Sequence, residues 1–259
     1  MRLRFLGTGT SFGVPVIGCT CRVCTSSNPR NRRTRHGLAI EEDDRVLLVD
    51  TPPELRLQLL TAGIDRVDAV FLTHMHADHV HGIDDLRIFT VRGRGPVPML
   101  VAEEHATELR ARFTYIFDEN IQPGPGTSAP RIDLTTFHAG DEMQAAGFTL
   151  RVLSFPHGRM RSYGFRLGGL GIIVDGKSVP EDARRALEGV EVLVINSLWW
   201  GNPHPTHFNV EEAIATARDI GARKTYLTHL THRLEYDDLA ARLPAGVSPA
   251  FDGLILELD

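Results

Sequence analysis

Short apolar runs alternate with amphipathic stretches along the whole chain, and this alternation predicts strands and helices of one layered α/β domain. No linker and no internal repeat of about 20 to 50 residues interrupts the pattern, so the predicted domain spans residues 1–259. The predicted helices lie near residues 53–62, 79–90, 103–112, 180–189 and 210–220. The predicted strands are residues 3–6, 45–50, 69–73, 98–101, 149–155, 162–167, 171–175, 192–196, 224–228 and 254–258.

Two local signals refine this assignment. Asn209 can cap the last predicted helix, because Glu212 stands three residues later in the register of a capping box. Residues 122–130 contain three prolines and two glycines and predict a loop, which is either a lid or a surface connection.

Composition and charge restrict the class of protein. Hydrophobic residues make up 42% and charged residues 24% of the chain, which is typical of globular proteins and unlike collagen-like, coiled-coil or disordered chains. The 28 basic and 33 acidic residues give a net charge of −5, which argues against general nucleic-acid binding and against an anionic membrane as partner. No apolar stretch is long enough for a signal peptide or a membrane span, so we expect a cytoplasmic protein.

One segment departs from this acidic balance. Residues 22–40 contain five arginines and no acidic residue. Such a run is either a solvated charged surface or a cluster that captures phosphate oxygens through bidentate guanidinium contacts. These arginines are Arg22, Arg30, Arg32, Arg33 and Arg35.

The strongest chemical signal is the run THMHADHVHG at residues 73–82, which follows the apolar run of a predicted buried strand. A strand end holds alternate side chains on one side, so His74 and His76 can bind one cation. Asp78 and His79 stand at the turn into the next helix and can reach a second cation. Imidazole and carboxylate ligands suit Zn²⁺, Mn²⁺ or Fe²⁺ better than Cu⁺ or Ca²⁺.

This run resembles the HxHxDH signature of the metallo-β-lactamase superfamily. The resemblance implies an αββα sandwich, in which two sheets face each other between helical layers, with a dinuclear site along one edge. It also implies further ligands after later strands, and His157, Asp175 and His229 occupy such positions. In the family pattern Asp175 bridges two ions, one bound by His74, His76 and His157 and the other by Asp78, His79 and His229.

Two other polar residues compete for roles at this site. We reject His138 as the third ligand, because HAGDE at residues 138–142 predicts a turn, where a histidine is usually solvated. Asp50 follows a predicted strand, where family members place an acid behind the metal ligands, and we interpret it as orienting a histidine ring. A turn-forming aspartate before Thr51 is the alternative.

A second metal site is predicted near residues 18–25. Cys19, Cys21 and Cys24 are the only three cysteines of the chain and fall within six residues, which does not suit a secreted disulfide framework. Structural zinc needs a fourth ligand, and His232 in THLTH is the candidate. Free buried cysteines are the alternative, and a redox role fits less well.

Together, GTGTSFGVPVIGCTCRVC at residues 7–24, LTHLTH at 227–232 and FDG at 251–253 resemble the PhnP-like branch of phosphodiesterases within this superfamily. The resemblance implies hydrolysis of a small cyclic phosphate and a homodimer. Two cations about 3.5–4 Å apart would lower the pKa of a water between them and make hydroxide available. His207 in HPTHFN stands where such proteins carry an active-site histidine and is our candidate general acid.

We therefore expect a dinuclear metal-dependent phosphoric diester hydrolase with one structural zinc, in which Asp78, Asp175 and His207 are catalytic. The expected substrate is a small phosphodiester such as phosphoribosyl 1,2-cyclic phosphate or a 2′,3′-cyclic nucleotide. Arg159 and Arg161 either hold a second phosphate or are simply exposed. The alternatives are a protein similar to PqqB of quinone-cofactor biosynthesis, a lactonase or thioesterase of the same fold, and a metal-bearing scaffold without turnover. A tRNA-processing nuclease fits less well, because no long insertion resembles its tRNA-binding arm.

Overall fold

A computed structural model describes residues 1–121 and 123–258, and these residues form two seven-stranded sheets. The first sheet has the order β14-β1-β2-β3-β4-β5-β6 and the second β13-β12-β11-β10-β9-β8-β7. The strands of the first sheet are β1 (Arg2–Gly7), β2 (Gly37–Glu42), β3 (Arg45–Val49), β4 (Ala69–Phe71), β5 (Val97–Ala102), β6 (Ile132–Phe137) and β14 (Ile255–Glu257). Those of the second are β7 (Glu142–Ala145), β8 (Phe148–His157), β9 (Met160–Leu167), β10 (Leu170–Ile173), β11 (Val192–Asn196), β12 (Lys224–Thr228) and β13 (Val247–Pro249).

Helices cover the outer faces of both sheets. The α-helices are α1 (Leu55–Ala62), α2 (Ala77–Val80), α3 (Arg87–Val91), α4 (Glu103–Arg112), α5 (Thr114–Phe117), α6 (Glu181–Leu187), α7 (Val210–Ile220) and α8 (Tyr236–Arg242). Two 3₁₀ turns lie at Pro29–Asn31 and Ile83–Leu86. Among the described residues, no helix is long and apolar enough to cross a membrane.

The hydrophobic core lies in three layers. Between the sheets, the Phe71 ring stacks on Phe137 with centroids 5.1 Å apart and meets Phe165 edge-on at 4.9 Å. A second apolar cluster lies between the first sheet and helices α1 and α4, and a third between the second sheet and helices α6, α7 and α8. This helix–sheet–sheet–helix arrangement confirms the predicted αββα sandwich.

Parallel pairing places functional residues at one edge of the sandwich. Strands β3 to β6 are parallel, and so are β10 to β13. Residues that follow the carboxyl ends of such strands come together at one edge. Asp50 follows β3, His74 follows β4, Asp175 follows β10 and His229 follows β12.

Each predicted strand overlaps an observed one, whereas four strands and helices α5 and α8 were not predicted. The unpredicted strands are β2, β6, β7 and β13. Strand β6 reads IDLTTF and carries mostly exposed or half-buried side chains, so its apolar signal is weak. In α7 the predicted capping box between Asn209 and Glu212 is confirmed.

The single helix predicted near 79–90 was wrong. The chain forms α2, a 3₁₀ turn and α3 there, with Gly82 between the first two. Gly82 donates its N–H to the carbonyl of Thr51, and a Cβ at this position would lie 2.0 Å from the carbonyl oxygen of Pro52. This close backbone approach ends α2 one turn after it starts. Within the predicted loop at 122–130, residues 123–130 form no helix or strand, and Gln122 lies outside the described residues.

Candidate metal centre

Three histidines and one aspartate meet at the edge of the sandwich. The Nε2 atoms of His74 and His157 lie 3.0 and 3.2 Å from Nδ1 of His76. Both Nε2 atoms also lie 3.6 Å from Oδ2 of Asp175. These four side chains can therefore offer one ligand atom each to a single cation.

A second group lies on the other side of Asp175. Nε2 of His79 is 3.3 Å from Oδ2 of Asp78, and Nε2 of His229 is 3.6 Å from the same oxygen. Asp175 approaches this group as well, with Oδ2 3.6 Å from His79 and Oδ1 3.4 Å from His229. The Asp175 carboxylate is thus within reach of both groups, which is the arrangement that a bridging ligand requires.

The donor atoms fit metal ions in spacing and chemistry. Ligands held tetrahedrally at about 2.0–2.1 Å from zinc lie roughly 3.3 Å from one another, and the separations here are 3.0 to 3.6 Å. Nε2 of His79, Nε2 of His229 and Oδ1 of Asp175 are buried and have no hydrogen-bond partner among the described residues. Such orphaned buried atoms are costly unless a ligand satisfies them. The residues therefore fit a pair of divalent cations, although the ligand roles stay predictions.

Neighbouring groups fix how the imidazole rings face the centre. Nδ1 of His79 donates to Oδ2 of Asp50 at 2.7 Å, and Nδ1 of His157 donates to the carbonyl of Thr206 at 3.0 Å. In each ring this leaves the Nε2 lone pair directed at the centre. Asp50 is held in turn by the N–H and hydroxyl of Thr73. The prediction that Asp50 orients a histidine ring is confirmed.

Burial and charge set the protonation states. Burial lowers the pKa of His74 well below its ordinary value and lowers the pKa of His157 to about 4, so both rings are neutral at pH 7. Burial acts to raise the pKa of Asp175, but the neighbouring His229, His207 and His79 hold that pKa well below its ordinary range. Neutral imidazole and ionised carboxylate are the forms that bind metal ions.

The predicted general acid lies against the same carboxylate. Nε2 of His207 is 3.1 Å from Oδ2 of Asp175, and the His207 ring stacks on His229 with centroids 5.0 Å apart. Nδ1 of His207 lies 2.8 Å from Oγ1 of Thr206 and 3.3 Å from Nδ1 of His204. His207 is therefore at the centre itself, close enough that Asp175, His207 and His229 form a further group of potential ligands.

The three cysteines converge on His232. Their Sγ atoms lie 3.3 Å (Cys19), 3.6 Å (Cys21) and 3.6 Å (Cys24) from Nδ1 of His232. Backbone N–H groups of Val16 and Cys24 point at two of the sulfurs. The four donors have the number and type of a closed structural zinc site. As for the first centre, the geometry supports the predicted ligand set and metal binding stays a prediction.

The basic segment supports the protein's own framework. Arg33 is buried and donates to the carbonyls of Thr231 and Leu234, which flank His232. Arg22 pairs with Asp238 at 2.6 Å. Arg30 lies over the rings of Tyr236 and Phe251, and Arg35 pairs with Glu54. Four of the five arginines are thus engaged within the chain.

Sequence reasoning missed several residues around the centre. Thr206 was not predicted to support His157, and His204 was not predicted to contact His207. The Trp199 ring lies edge-on to His204, with centroids 5.4 Å apart, and the guanidinium of Arg233 lies 4.6 Å from the Trp199 centroid. The rejected His138 lies in a turn, with its side chain 75% exposed, as predicted. The density of histidines in HPTH at 204–207 was the signal available for His204.

A family model described as a beta-lactamase superfamily domain matches residues 45–230. The chain belongs to this superfamily. A solved structure described as a new diphosphatase from the PhnP family is 34% identical, with a TM-score of 0.90 over 100% of this chain and 98% of that one. The chain is therefore also a member of the PhnP family, and the predicted resemblance is confirmed.

Two other relatives show how far the likeness extends. The structure of zinc-bound PqqB from Methylobacterium extorquens covers 100% of both chains with a TM-score of 0.78, but at 20% identity it shows the fold alone. An octanoyltransferase of Porphyromonas gingivalis is 36% identical over 261 residues, which include all of this chain. This chain spans only 52% of that relative's length. The relative's name therefore applies to a protein about twice as long. The superfamily match and the PhnP-family structure, rather than these two relatives, support a hydrolase.

Proposed function

We propose that this protein is a metal-dependent phosphodiesterase that hydrolyses a small cyclic phosphate. The observation that carries the proposal is the position of Asp175, whose two carboxylate oxygens lie within 3.4–3.6 Å of imidazole nitrogens from both ligand groups. A shared carboxylate between two such groups favours a pair of ions over a single one. The proposed ions are Zn²⁺, Mn²⁺ or Fe²⁺, with one further Zn²⁺ at the Cys₃His site.

Two divalent ions held at this centre would lower the pKa of a water molecule toward neutrality and offset the charge on the phosphoryl oxygens. The protein's own residues supply orientation. Asp50 and the carbonyl of Thr206 fix the rings of His79 and His157, and Asp175 is kept ionised. Rigid side chains at strand ends reduce the reorganisation that the reaction needs.

His207 is the proposed general acid. Its Nε2 faces the shared carboxylate, while its Nδ1 is held beside Thr206 and His204. This arrangement fixes the ring plane and supports delivery of a proton to the departing sugar oxygen. Position 209 supplies no carboxylate to His207, since Asn209 caps helix α7 instead.

The expected substrate is phosphoribosyl 1,2-cyclic phosphate or a 2′,3′-cyclic nucleotide, with no general nucleic-acid or membrane partner. Homodimer formation and a cytoplasmic location stay predictions. A second candidate is hydrolysis of a diphosphate linkage, which is favoured by the description of the 34% identical PhnP-family structure as a diphosphatase. The PqqB-like alternative has support at the level of the fold only.

The test is a hydrolysis screen of the metal-loaded protein. Bis(p-nitrophenyl) phosphate, a 2′,3′-cyclic nucleotide, ADP-ribose, a lactone and a thioester represent the competing classes. We expect metal-dependent turnover of the phosphodiesters. Turnover of ADP-ribose alone would favour the diphosphatase, and no metal-dependent turnover of any phosphate ester would contradict the proposal.

A further inference from the structure

A buried histidine stands behind the metal centre without belonging to either ligand group. His36 directly precedes strand β2 and is fully buried. Its Nε2 atom has no hydrogen-bond partner among the described residues. A buried imidazole nitrogen without a partner costs free energy that an apolar side chain would not cost. Filling space in the core therefore does not account for a histidine at this position.

The other ring nitrogen of His36 links the two sheets. Nδ1 of His36 lies 3.1 Å from Oγ1 of Thr228. Thr228 is the last residue of β12 in the second sheet, whereas β2 belongs to the first sheet. Thr228 also directly precedes the proposed ligand His229. The hydrogen bond between the two side chains thus ties the backbone beside a ligand to the opposite sheet.

The ring of His229 lacks the support that other imidazoles of the centre have. The Nδ1 atoms of His74, His79 and His157 each have a hydrogen-bond partner on a neighbouring group. Nδ1 of His229 is buried and has no such partner among the described residues. The φ of His229 is 57°, in the left-handed region that residues other than glycine adopt only where their surroundings hold them. The direction of this ring therefore depends on how its backbone is held.

Contacts on both sides hold the backbone at His229. Before it, the carbonyl and the hydroxyl of Thr228 both form hydrogen bonds, the hydroxyl with His36. After it, the N–H of Leu230 donates to the carbonyl of Thr8 at 2.8 Å. Two side chains make the contact with His36, so a substitution can remove it and leave the backbone hydrogen bonds in place.

His36 also lies against the second ligand group itself. Its ring centroid is 6.0 Å from that of His79, and the His79 ring stacks on His229 with centroids 5.8 Å apart. Within the described residues, His36 makes no ring contact with the histidines of the first ligand group. Its contacts are therefore on the side of the centre that Asp78, His79 and His229 form.

We propose that His36 is a positioning residue, which fixes Thr228 and through it the His229 imidazole, and so sets the affinity of the ion bound by the second ligand group. This inference rests on the metal centre of the proposed function. A ligand that is already held in its binding direction loses less conformational freedom when it binds a cation. Removing a contact that orients a metal ligand typically costs about 10–100-fold in metal affinity.

The experiment is a titration of the metal-free full chain with Co²⁺. The charge-transfer absorption of thiolate-bound Co²⁺ identifies the ion at the cysteines, so the two ions at the Asp175 centre are followed separately through their ligand-field absorption. Thr228→Val removes the hydroxyl and keeps the shape of the side chain, Thr228→Ser restores the hydroxyl, and His36→Phe removes both ring nitrogens. Thr225→Val, the same change at another buried threonine of β12, is the matched control.

We expect Thr228→Val and His36→Phe to weaken one of the two binding constants at the centre by about 10–100-fold and to leave the other at its wild-type value. The ligand-field absorption of the weakened ion should change as well, because its histidine ligand is less well oriented. Thr228→Ser and Thr225→Val should match the wild type in both constants. Thermal unfolding of each metal-free variant measures the effect on the fold separately.

The outcomes separate the positioning role from a structural role and from the proposed reaction. Wild-type binding constants in both Thr228→Val and His36→Phe would overturn the positioning role. An equal loss in both constants, with the same loss in Thr225→Val, would assign the effect to the fold and also overturn it. The expected constants in a protein that hydrolyses no phosphate ester would support the positioning role and contradict the phosphodiesterase.

Discussion

Nε2 of His207 lies 3.1 Å from Oδ2 of Asp175, the carboxylate that both ligand groups share. A ring nitrogen at this distance from an ionised carboxylate donates a hydrogen bond, so the Nε2 proton is held at the centre. In the proposed hydrolysis, a departing alkoxide would take its proton from this position. Under that proposal, His207 connects the cation-binding residues to the step that releases the product.

His207→Ala tests this connection through the leaving group. We expect a loss of about 100-fold or more in kcat with a sugar leaving group, whose alkoxide needs a proton, and a much smaller loss with p-nitrophenolate. The measurement is kcat for a cyclic nucleotide and for bis(p-nitrophenyl) phosphate under the same metal loading. Equal losses on the two substrates would assign His207 to metal binding or to the orientation of Asp175.

His76→Ala tests the first ligand group. His76 contributes the Nδ1 atom that lies within 3.2 Å of both neighbouring imidazoles. We expect phosphodiesterase activity to fall at least about 1,000-fold, because several kcal/mol of transition-state stabilisation depend on the bound ion. His138→Ala, which changes an exposed turn histidine, is the control and should retain wild-type activity. A variant at His76 with more than a tenth of wild-type activity would contradict the assigned ligand set.

Cys24→Ser tests the Cys₃His site. We expect the variant to lose one zinc per chain and to unfold at a Tm lower by roughly 6–12 °C, which corresponds to about 3 kcal/mol in a chain of this size. The measurements are elemental analysis and thermal unfolding in parallel. Ser26→Ala, a change in the same loop at a residue that is not a proposed ligand, is the control for the metal count. An unchanged zinc content in Cys24→Ser would contradict the prediction of a structural zinc at the Cys₃His site.

The pH dependence of stability tests the environment of His157. Burial lowers the pKa of His157 to about 4 in the folded protein, whereas the unfolded value is about 6.5. Between these values the unfolded state binds more protons, so the free energy of unfolding should rise with pH across this window and the stabilisation should be lost as the pH falls. Urea unfolding of the metal-free protein from pH 4 to 6.5 measures the slope.

In the same titration, His157→Asn should show a shallower slope than the wild type, because one titrating group with a lowered pKa is gone. His138→Asn, an exposed position, should keep the wild-type slope. Parallel curves for wild type and His157→Asn would show that protonation of His157 does not contribute to the pH dependence of the free energy of unfolding.

Much of the centre could be predicted because its residues follow strand ends in sequence. His74, Asp175 and His229 each lie at or directly after the end of a predicted strand, and parallel strands bring their carboxyl ends to one edge. The Cys₃His group was predictable for another reason, since three closely spaced cysteines need a fourth donor and His232 stands beside a predicted ligand. Such signals are local in the sequence and can be recognised without knowledge of the packing.

The remaining features depend on contacts between distant segments. The break at Gly82 follows from the approach of the Pro52 carbonyl, some thirty residues earlier in the chain. The structural role of Arg33 follows from its burial against carbonyls near residue 232. Neither contact produces a hydrophobic pattern in the sequence. The edge strands β6 and β7 also lack such a pattern, because their faces carry mixed polar and apolar residues, and they were not predicted.

We infer that this chain holds a pair of ions at the Asp175 centre and a third ion at the cysteines. Elemental analysis of the metal-saturated wild type, Asp175→Ala and Cys24→Ser measures these ions. We expect three divalent ions per wild-type chain, two in Cys24→Ser and fewer than three in Asp175→Ala, with phosphodiester hydrolysis lost only when the centre is depleted. A wild-type protein that binds a single ion, lost in Cys24→Ser and retained in Asp175→Ala, would contradict it.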